Sequence, residues 1–155
     1  MKIRPIIIVP GEPKSIFFEI FCKTIKSNNF KSPLILISSL KIVKSQFKKL
    51  KLRKKIKLIE LKNLSNLKLN NESINLIDVP LNLNNNLNFY IKNCFEIAFG
   101  IIKKKVTNKF INGPINKSRF FNKKFLGMTE YISDKFKIKK NAMLIYNEKI
   151  SVCPV

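Results

Sequence analysis

The chain has no histidine, no tryptophan, four glycines, three arginines and nine acidic residues among 155 positions. Each scarcity excludes something. Without histidine, neither a Ser-His-Asp triad nor a Cys-His nucleophile can be assembled, and Cys/His zinc sites are ruled out. Gly11, Gly100, Gly113 and Gly127 lie too far apart for a G-x-G-x-x-G dinucleotide loop, and no Gly-Lys-Ser or Gly-Lys-Thr marks a phosphate-binding loop. The acids are scattered singly, so no carboxylate pair is signalled. The cysteines Cys22, Cys94 and Cys153 are odd in number and form no C-x-x-C pair. Cys22 and Cys94 fall in apolar helical patterns, where buried, reduced thiols are expected. No apolar run approaches the ~18 residues that span a bilayer. No secretory signal pattern follows the start, so the expected location is the cytoplasm.

What the chain does have is lysine, isoleucine and asparagine, at 28, 24 and 19 residues, and a net charge of +22. All three have A/T-rich codons, which points to coding bias acting on solvent-tolerant positions. Nucleic-acid readers favour arginine, whose planar fork pairs bidentately with phosphate and guanine, so the paucity of arginine argues against nucleic acid as the partner. The 45% hydrophobic content is that of a packed domain, not a disordered basic tail. Length favours a single α/β region over residues 1–155.

The apolar run Ile3–Val9 predicts a buried strand ending at Pro10-Gly11-Glu12-Pro13. Ser15 can cap a following helix whose stripe is Ile16, Phe17, Ile20, Phe21, Thr24 and Ile25, with Asn28-Asn29 ending it. Residues 33–37 predict a second strand, and residues 39–50 a basic helix carrying Leu40, Val43, Phe47 and Leu50. Residues 55–61 predict a third strand in which Ile56 and Leu58 alternate, with Leu61 as a further candidate at its end. A loop at 62–73 and a fourth strand at 74–79 follow, then an Asn/Leu linker at 82–88. A long helix is expected from Leu87 to Val106, striped by Ile91, Cys94, Phe95, Ala98, Ile101 and Ile102. Its terminal Lys103-Lys104-Lys105 would complement the helix dipole. A short strand at Phe110-Ile111, helices at 115–123 and 129–137 about a Phe125-Leu126-Gly127 turn, and strands at 142–146 and 150–155 complete the chain. Alternating strands and helices predict an α/β fold with a mostly parallel sheet and flanking helices.

Three polar turns follow strands, where open α/β sheets bind ligands: Gly11-Glu12-Pro13, Asn112-Gly113-Pro114-Ile115-Asn116-Lys117, and Gly127-Met128-Thr129-Glu130. Glycine permits close backbone approach, and Lys117 offers a point charge to a phosphate. Ordinary turn chemistry competes at each: Glu12 can sit at a loop or helix start, and Thr129 can cap the helix that follows.

Taken in order, the turns resemble the 4-hydroxythreonine-4-phosphate dehydrogenase family of pyridoxal phosphate biosynthesis. Its P-G-E-P is seen as Pro10-Gly11-Glu12-Pro13. Its T-G-P-V-H-K corresponds to Asn112 through Lys117, and its G-H-T-E plus aromatic to Gly127-Met128-Thr129-Glu130-Tyr131. The chain stops at Pro154-Val155, about where the family's T-T-H-L-P would begin. The resemblance spans this chain in order and covers the first half of a family member, while residues 30–85 match in pattern alone.

The resemblance implies an isocitrate/isopropylmalate dehydrogenase-like two-domain fold, of which this chain is an N-terminal fragment. It implies NAD-dependent oxidation of 4-phosphooxy-threonine with decarboxylation, in a homodimer, using a divalent metal held by three histidines. All three would lie beyond Val155, as would the nicotinamide-binding half, so the chain alone is expected to be inactive. Thr129 matches a family substrate contact. Met128 replaces the neighbouring substrate-binding histidine, and a thioether cannot donate a hydrogen bond. Asn116 also stands where the family has histidine, and Lys14 to Phe17 replace the glycines after P-G-E-P. Two other classes stay open: a basic nucleic-acid-binding module, and a non-catalytic half-subunit needing a separately encoded partner.

Overall fold

The computed structural model describes residues 3–27, 29–64, 68–81 and 86–153. Expectations touching Asn28, the interior of the 62–73 loop, the 82–85 part of the linker and the final Pro154-Val155 fall outside them. The chain divides into two compact units, residues 1–115 and 116–155.

The first unit is built on strands β1 (Ile6–Val9), β2 (Leu34–Ser38), β3 (Ile56–Leu58), β4 (Ile74–Asp78) and β5 (Lys109–Asn112). They form one sheet in the order β3-β4-β2-β1-β5, and every pairing is parallel. Parallel strands need crossovers, supplied here by helices α1 (Phe17–Ser27), α2 (Leu40–Lys49) and α3 (Leu87–Lys103).

The period of two divides each strand's side chains between two cores. Ile8, Leu36 and Leu76 stand in register and pack with Phe18, Phe21 and Cys22 of α1 and Val43 and Phe47 of α2. Their neighbours Ile7, Ile35, Asn75 and Phe110 form the opposite row, on which α3 lies. Phe110 there meets Phe95 and Phe99 with ring centroids 5.7 and 5.8 Å apart. Each fully buried side chain of this size contributes ~1.5–3 kcal/mol, which is why strands covered on both faces read as unbroken apolar runs.

Three expectations are corrected. In α1 the buried residues are Phe18, Phe21 and Cys22, whereas Ile16 and Ile20 are 59% and 54% exposed. The segment carries two overlapping apolar stripes. The one that faces the sheet is Phe18, Phe21, Cys22 and Ile25, at i, i+3, i+4 and i+7, because it seats Phe18. Strand β3 stops at Leu58, and Leu61 opens a 3-10 turn with its side chain exposed, so its apparent alternation is coincidental. Residues 142–153 form no strands. A single antiparallel bridge joins Ile145 to Val152, and the apolar side chains around it are solvent-exposed, leaving no third layer to fix a ladder.

The second unit contains α4 (Lys117–Phe121) and α5 (Met128–Phe136). Its core is aromatic: Phe120, Phe121, Phe125 and Tyr131 meet edge-on or tilted at 5.2–6.0 Å.

Scarcity of glycine leaves a mark at the helix exits. Lys51, Lys105, Asn122, Lys123 and Lys137 all adopt positive φ, between 48° and 61°. The end of α2 is a Schellman motif: the Leu52 amide donates to the Phe47 carbonyl at 2.9 Å and the Lys51 amide to Lys48 at 3.3 Å. Glycine ordinarily fills that left-handed position; here lysine does. Among the described residues, no helix is long and apolar enough to cross a membrane.

Replacing Lys51, Lys105 or Lys137 by Gly is expected to stabilise the chain by about 0.5–1 kcal/mol each in urea unfolding, and a loss of stability would contradict the strain argument. Burial pushes the Cys94 thiol from 9.0 up to about 12. A raised acid pKa means that the folded chain holds its proton longer than the unfolded one. That stability is complete below about pH 9 and is lost as pH rises toward 12. Unfolding midpoints measured across that range should fall, and should fall less in Cys94→Ala.

Candidate functional site

Because all five strands run the same way, their carboxyl ends share one edge. From β1 the chain moves to β2 on one side; from β4 it passes over to β5 on the other side of β1. Direction therefore reverses between β1 and β5, the position beyond the strand ends where open α/β sheets place a ligand crevice.

Two of the three sequence turns meet at this crevice. The Gly113 amide donates to the Val9 carbonyl at 2.8 Å, and the Glu12 amide to the Pro114 carbonyl at 2.9 Å. Gly11 has φ of +74°, the left-handed region, and a Cβ on it would overlap the Pro114 carbonyl oxygen. A Cβ on Gly113 would overlap the Pro10 carbonyl and lie 2.7 Å from a Phe17 ring carbon. The two turns thus cross backbone to backbone, and both glycines are required. Glu12 does not begin a helix. Its carbonyl accepts from Ser15, closing a turn, and the Ser15 hydroxyl then accepts the amide of Phe17, the first residue of α1, at 3.3 Å.

The rest of the carboxyl edge is braced. Tyr90 of α3 accepts the Ser39 amide at 2.8 Å and shares a hydrogen bond with the Ser38 hydroxyl at 3.1 Å. The first amide of α2, on Leu40, is capped from β4 by Asp78 Oδ1 at 2.7 Å, a cap that local sequence cannot reveal. Burial raises the Tyr90 phenol well above its ordinary value and the Cys94 thiol to about 12, so both stay protonated at neutral pH and neither is a nucleophile. Burial likewise raises Cys22.

The remaining motif residues belong to the second unit. Asn116 is the N-cap of α4: its Oδ1 accepts the Arg119 amide at 3.1 Å and the Ser118 hydroxyl at 2.8 Å. Its role where the family has histidine is thus structural, a signal present in the Asn-x-x-Arg run but read only as a motif position. Lys117 is exposed in the first turn of α4. The cap of α5 is Gly127, not Thr129; Met128 and Thr129 are its first two residues, both half-buried. With capping assigned to Gly127, the Thr129 hydroxyl has no such structural duty.

Does this chain hold a metal or a dinucleotide? Its donor set does not fit a divalent ion: histidine is absent, and no group of three Cys, Asp or Glu residues clusters among the described residues. The turn after β1 has Lys14 to Phe17 in place of a glycine run, which gives no phosphate cradle for a dinucleotide.

An open, all-parallel sheet that reverses direction at β1, with helices on both faces, defines a doubly wound α/β fold. The particular fold is that of 4-hydroxythreonine-4-phosphate dehydrogenases. The Klebsiella pneumoniae enzyme aligns with a TM-score of 0.78 at 18% identity over 97% of this chain and 50% of that one. The Burkholderia phymatum enzyme aligns with 0.76 at 15%, over 99% and 49%. A Salmonella typhimurium protein assigned provisionally to the same enzyme gives 0.76 at 20%, over 97% and 50%. The chain therefore spans about half the length of each. No protein-family profile matches it, and no curated protein matches it by sequence.

Gly113→Ala is expected to cost roughly 2–4 kcal/mol, since neither Pro10 nor the packed Phe17 ring can yield. Gly100→Ala, where an added Cβ meets nothing within 4 Å, should be neutral or stabilise α3 by up to about 1 kcal/mol. Equal losses in the two variants would refute the crossing as the cause.

Proposed function

We propose that this chain supplies the first α/β half of a 4-hydroxythreonine-4-phosphate dehydrogenase-like enzyme. The reaction would be the NAD-dependent oxidation of a small phosphorylated hydroxy amino acid, followed by loss of its carboxylate as carbon dioxide. The observation that carries the reading is the meeting of the Pro10–Pro13 and Asn112–Pro114 motifs at the reversal crevice. The same three motifs, in the same order, mark the family that the fold resembles. The aligned half-lengths fit a chain that contributes one of two domains.

Under this reading the divalent ion and NAD bind through the other half, because this chain's residues suit neither. No step is therefore assigned to them here. What this chain contributes is positioning. Within the first unit the interlocked glycine turns fix the backbone at the carboxyl edge. Within the second, the Thr129 hydroxyl, free of capping duty, is available to hydrogen-bond substrate. Lys117 can offer a point charge to phosphate. Thr129 and Met128 are the substrate-contact positions. The exposed apolar residues Ile16, just before α1, and Ile20, within it, are suited to a subunit or domain contact, as a homodimer would need.

Met128 favours a second reading. A thioether cannot replace the hydrogen-bonding imidazole of the family motif, so the chain could serve as a pairing half that does not turn over substrate. One experiment separates the two. The chain is co-purified with a complementary second half carrying the three metal-binding histidines, and NADH formation from 4-phosphooxy-threonine is followed. The dehydrogenase reading expects activity in the pair and none in the chain alone. It also expects about a tenfold loss in Thr129→Ala and a gain in Met128→His. An inactive pair that Met128→His activates would establish the pairing half. A pair inactive in both forms would sink both readings of the site.

A further inference from the structure

A cavity lies at the other edge of the sheet, where the amino ends of β2 and β4 meet the end of α1. It has a volume of about 410 Å³, within the range of small-ligand sites. Phe21, Ile25, Leu36 and Ile74 form its floor and Phe30 and Leu34 one wall. Lys54 and Glu72 stand on its rim, the only ionisable groups that line it.

The wall is held in place before any ligand arrives. Asn71 Oδ1 accepts the Leu34 amide at 2.8 Å, and its amide nitrogen donates to the Phe30 and Ser32 carbonyls, both at 2.9 Å. Asn75, 1% exposed, adds bonds to the carbonyls of Leu34 at 2.9 Å and Asn70 at 2.7 Å. Two asparagines thus spend their donors on the backbone around an apolar cleft. A cleft braced in this way is preformed, which removes the ordering cost of binding.

Glu72 is the one acid among the residues lining the cleft, and the preceding part of the chain is strongly basic. Between Glu19 and Glu60 there is no acidic residue and there are twelve lysines and arginines. Of these, Lys26 reaches from α1 to the Leu50 carbonyl at the end of α2, and Lys51, Arg53 and Lys55 are exposed in the segment carrying Lys54. The partial negative charges at the ends of α1 and α2 fall off within a turn, whereas Lys54 lines the cleft itself.

We propose that this cleft is a binding site for a small amphipathic anion, an alkyl or aryl carboxylate. Its apolar body would fill the space over Phe21, Leu36 and Ile74 and its head would pair with Lys54. The site is separate from the crevice at the carboxyl ends and independent of the function assigned there. It lies within the first unit alone.

Decanoate is the probe, with decanol and decyltrimethylammonium as neutral and cationic counterparts of the same chain length. Isoleucine and leucine methyl resonances of the full chain report binding. Saturable shifts of Ile25, Leu34, Leu36 and Ile74 are expected at roughly 0.1–1 mM decanoate, the affinity open to a dozen heavy atoms at ordinary ligand efficiency. Decanol should bind more weakly, and the cation most weakly. Lys54→Glu should weaken decanoate about fivefold or more, while Glu72→Gln should tighten it about twofold, with no effect of either change on decanol. Glu72→Gln keeps the volume and geometry of its rim position, so it decides the question even if Lys54→Glu perturbs the fold. Absence of shifts at 5 mM would overturn the proposal. So would equal affinity for the three probes, or a decanoate affinity indifferent to both rim charges.

Discussion

The backbone crossing of Gly11 and Gly113 is the constraint on which the first unit depends. Two main chains can approach this closely only where neither carries a side chain, and the crossing fixes β5 against β1 at the end where the strands diverge. With it the sheet gains an outer parallel strand, α3 gains Phe110 as a partner for Phe95 and Phe99, and the reversal crevice gains a floor. A chain with four glycines has placed two of them at one point.

Sequence pattern disclosed the architecture well where burial dominates. Strands covered on both faces appear as plain apolar runs, so β1, β2 and β4 were legible, as was the stripe of α3. Pattern failed where two stripes of similar hydropathy overlap, as in α1, because nothing local says which stripe the sheet will take. It failed again near Leu61 and in residues 142–153, where alternation exists without a partner to pair with. Pairing is a non-local property, and β-propensity measures fit to neighbours that a single segment does not contain.

The candidate site was legible in part and for a different reason. Glycine, proline and polar residues clustered after strands identify turns, and the order of turns supplied the rest. What stayed hidden were contacts between distant segments: the capping of α2 by Asp78, the bracing of Ser38 and Ser39 by Tyr90, the clamp of Asn71 on the residues before β2. Asn116 shows the converse. Its place in a motif marked it as a departure from the family's histidine, while its geometry shows a helix cap, which is the commonest work of asparagine at a helix start. The lysines divide in the same way. Most lie exposed and say little, yet Lys54 lines an apolar cleft braced by two asparagines.

The lysines at the helix exits carry this logic from composition to energy. Net stability of a domain is only about 5–15 kcal/mol. A left-handed conformation forced on several side-chain-bearing residues, at ~1 kcal/mol apiece, consumes a sizeable share of such a margin. A genome that writes lysine where a fold prefers glycine therefore lowers the ceiling on further change. Substitutions elsewhere that a glycine-rich relative would absorb push this chain toward unfolding, so its aromatic and isoleucine-rich cores are held close to the packing they have now.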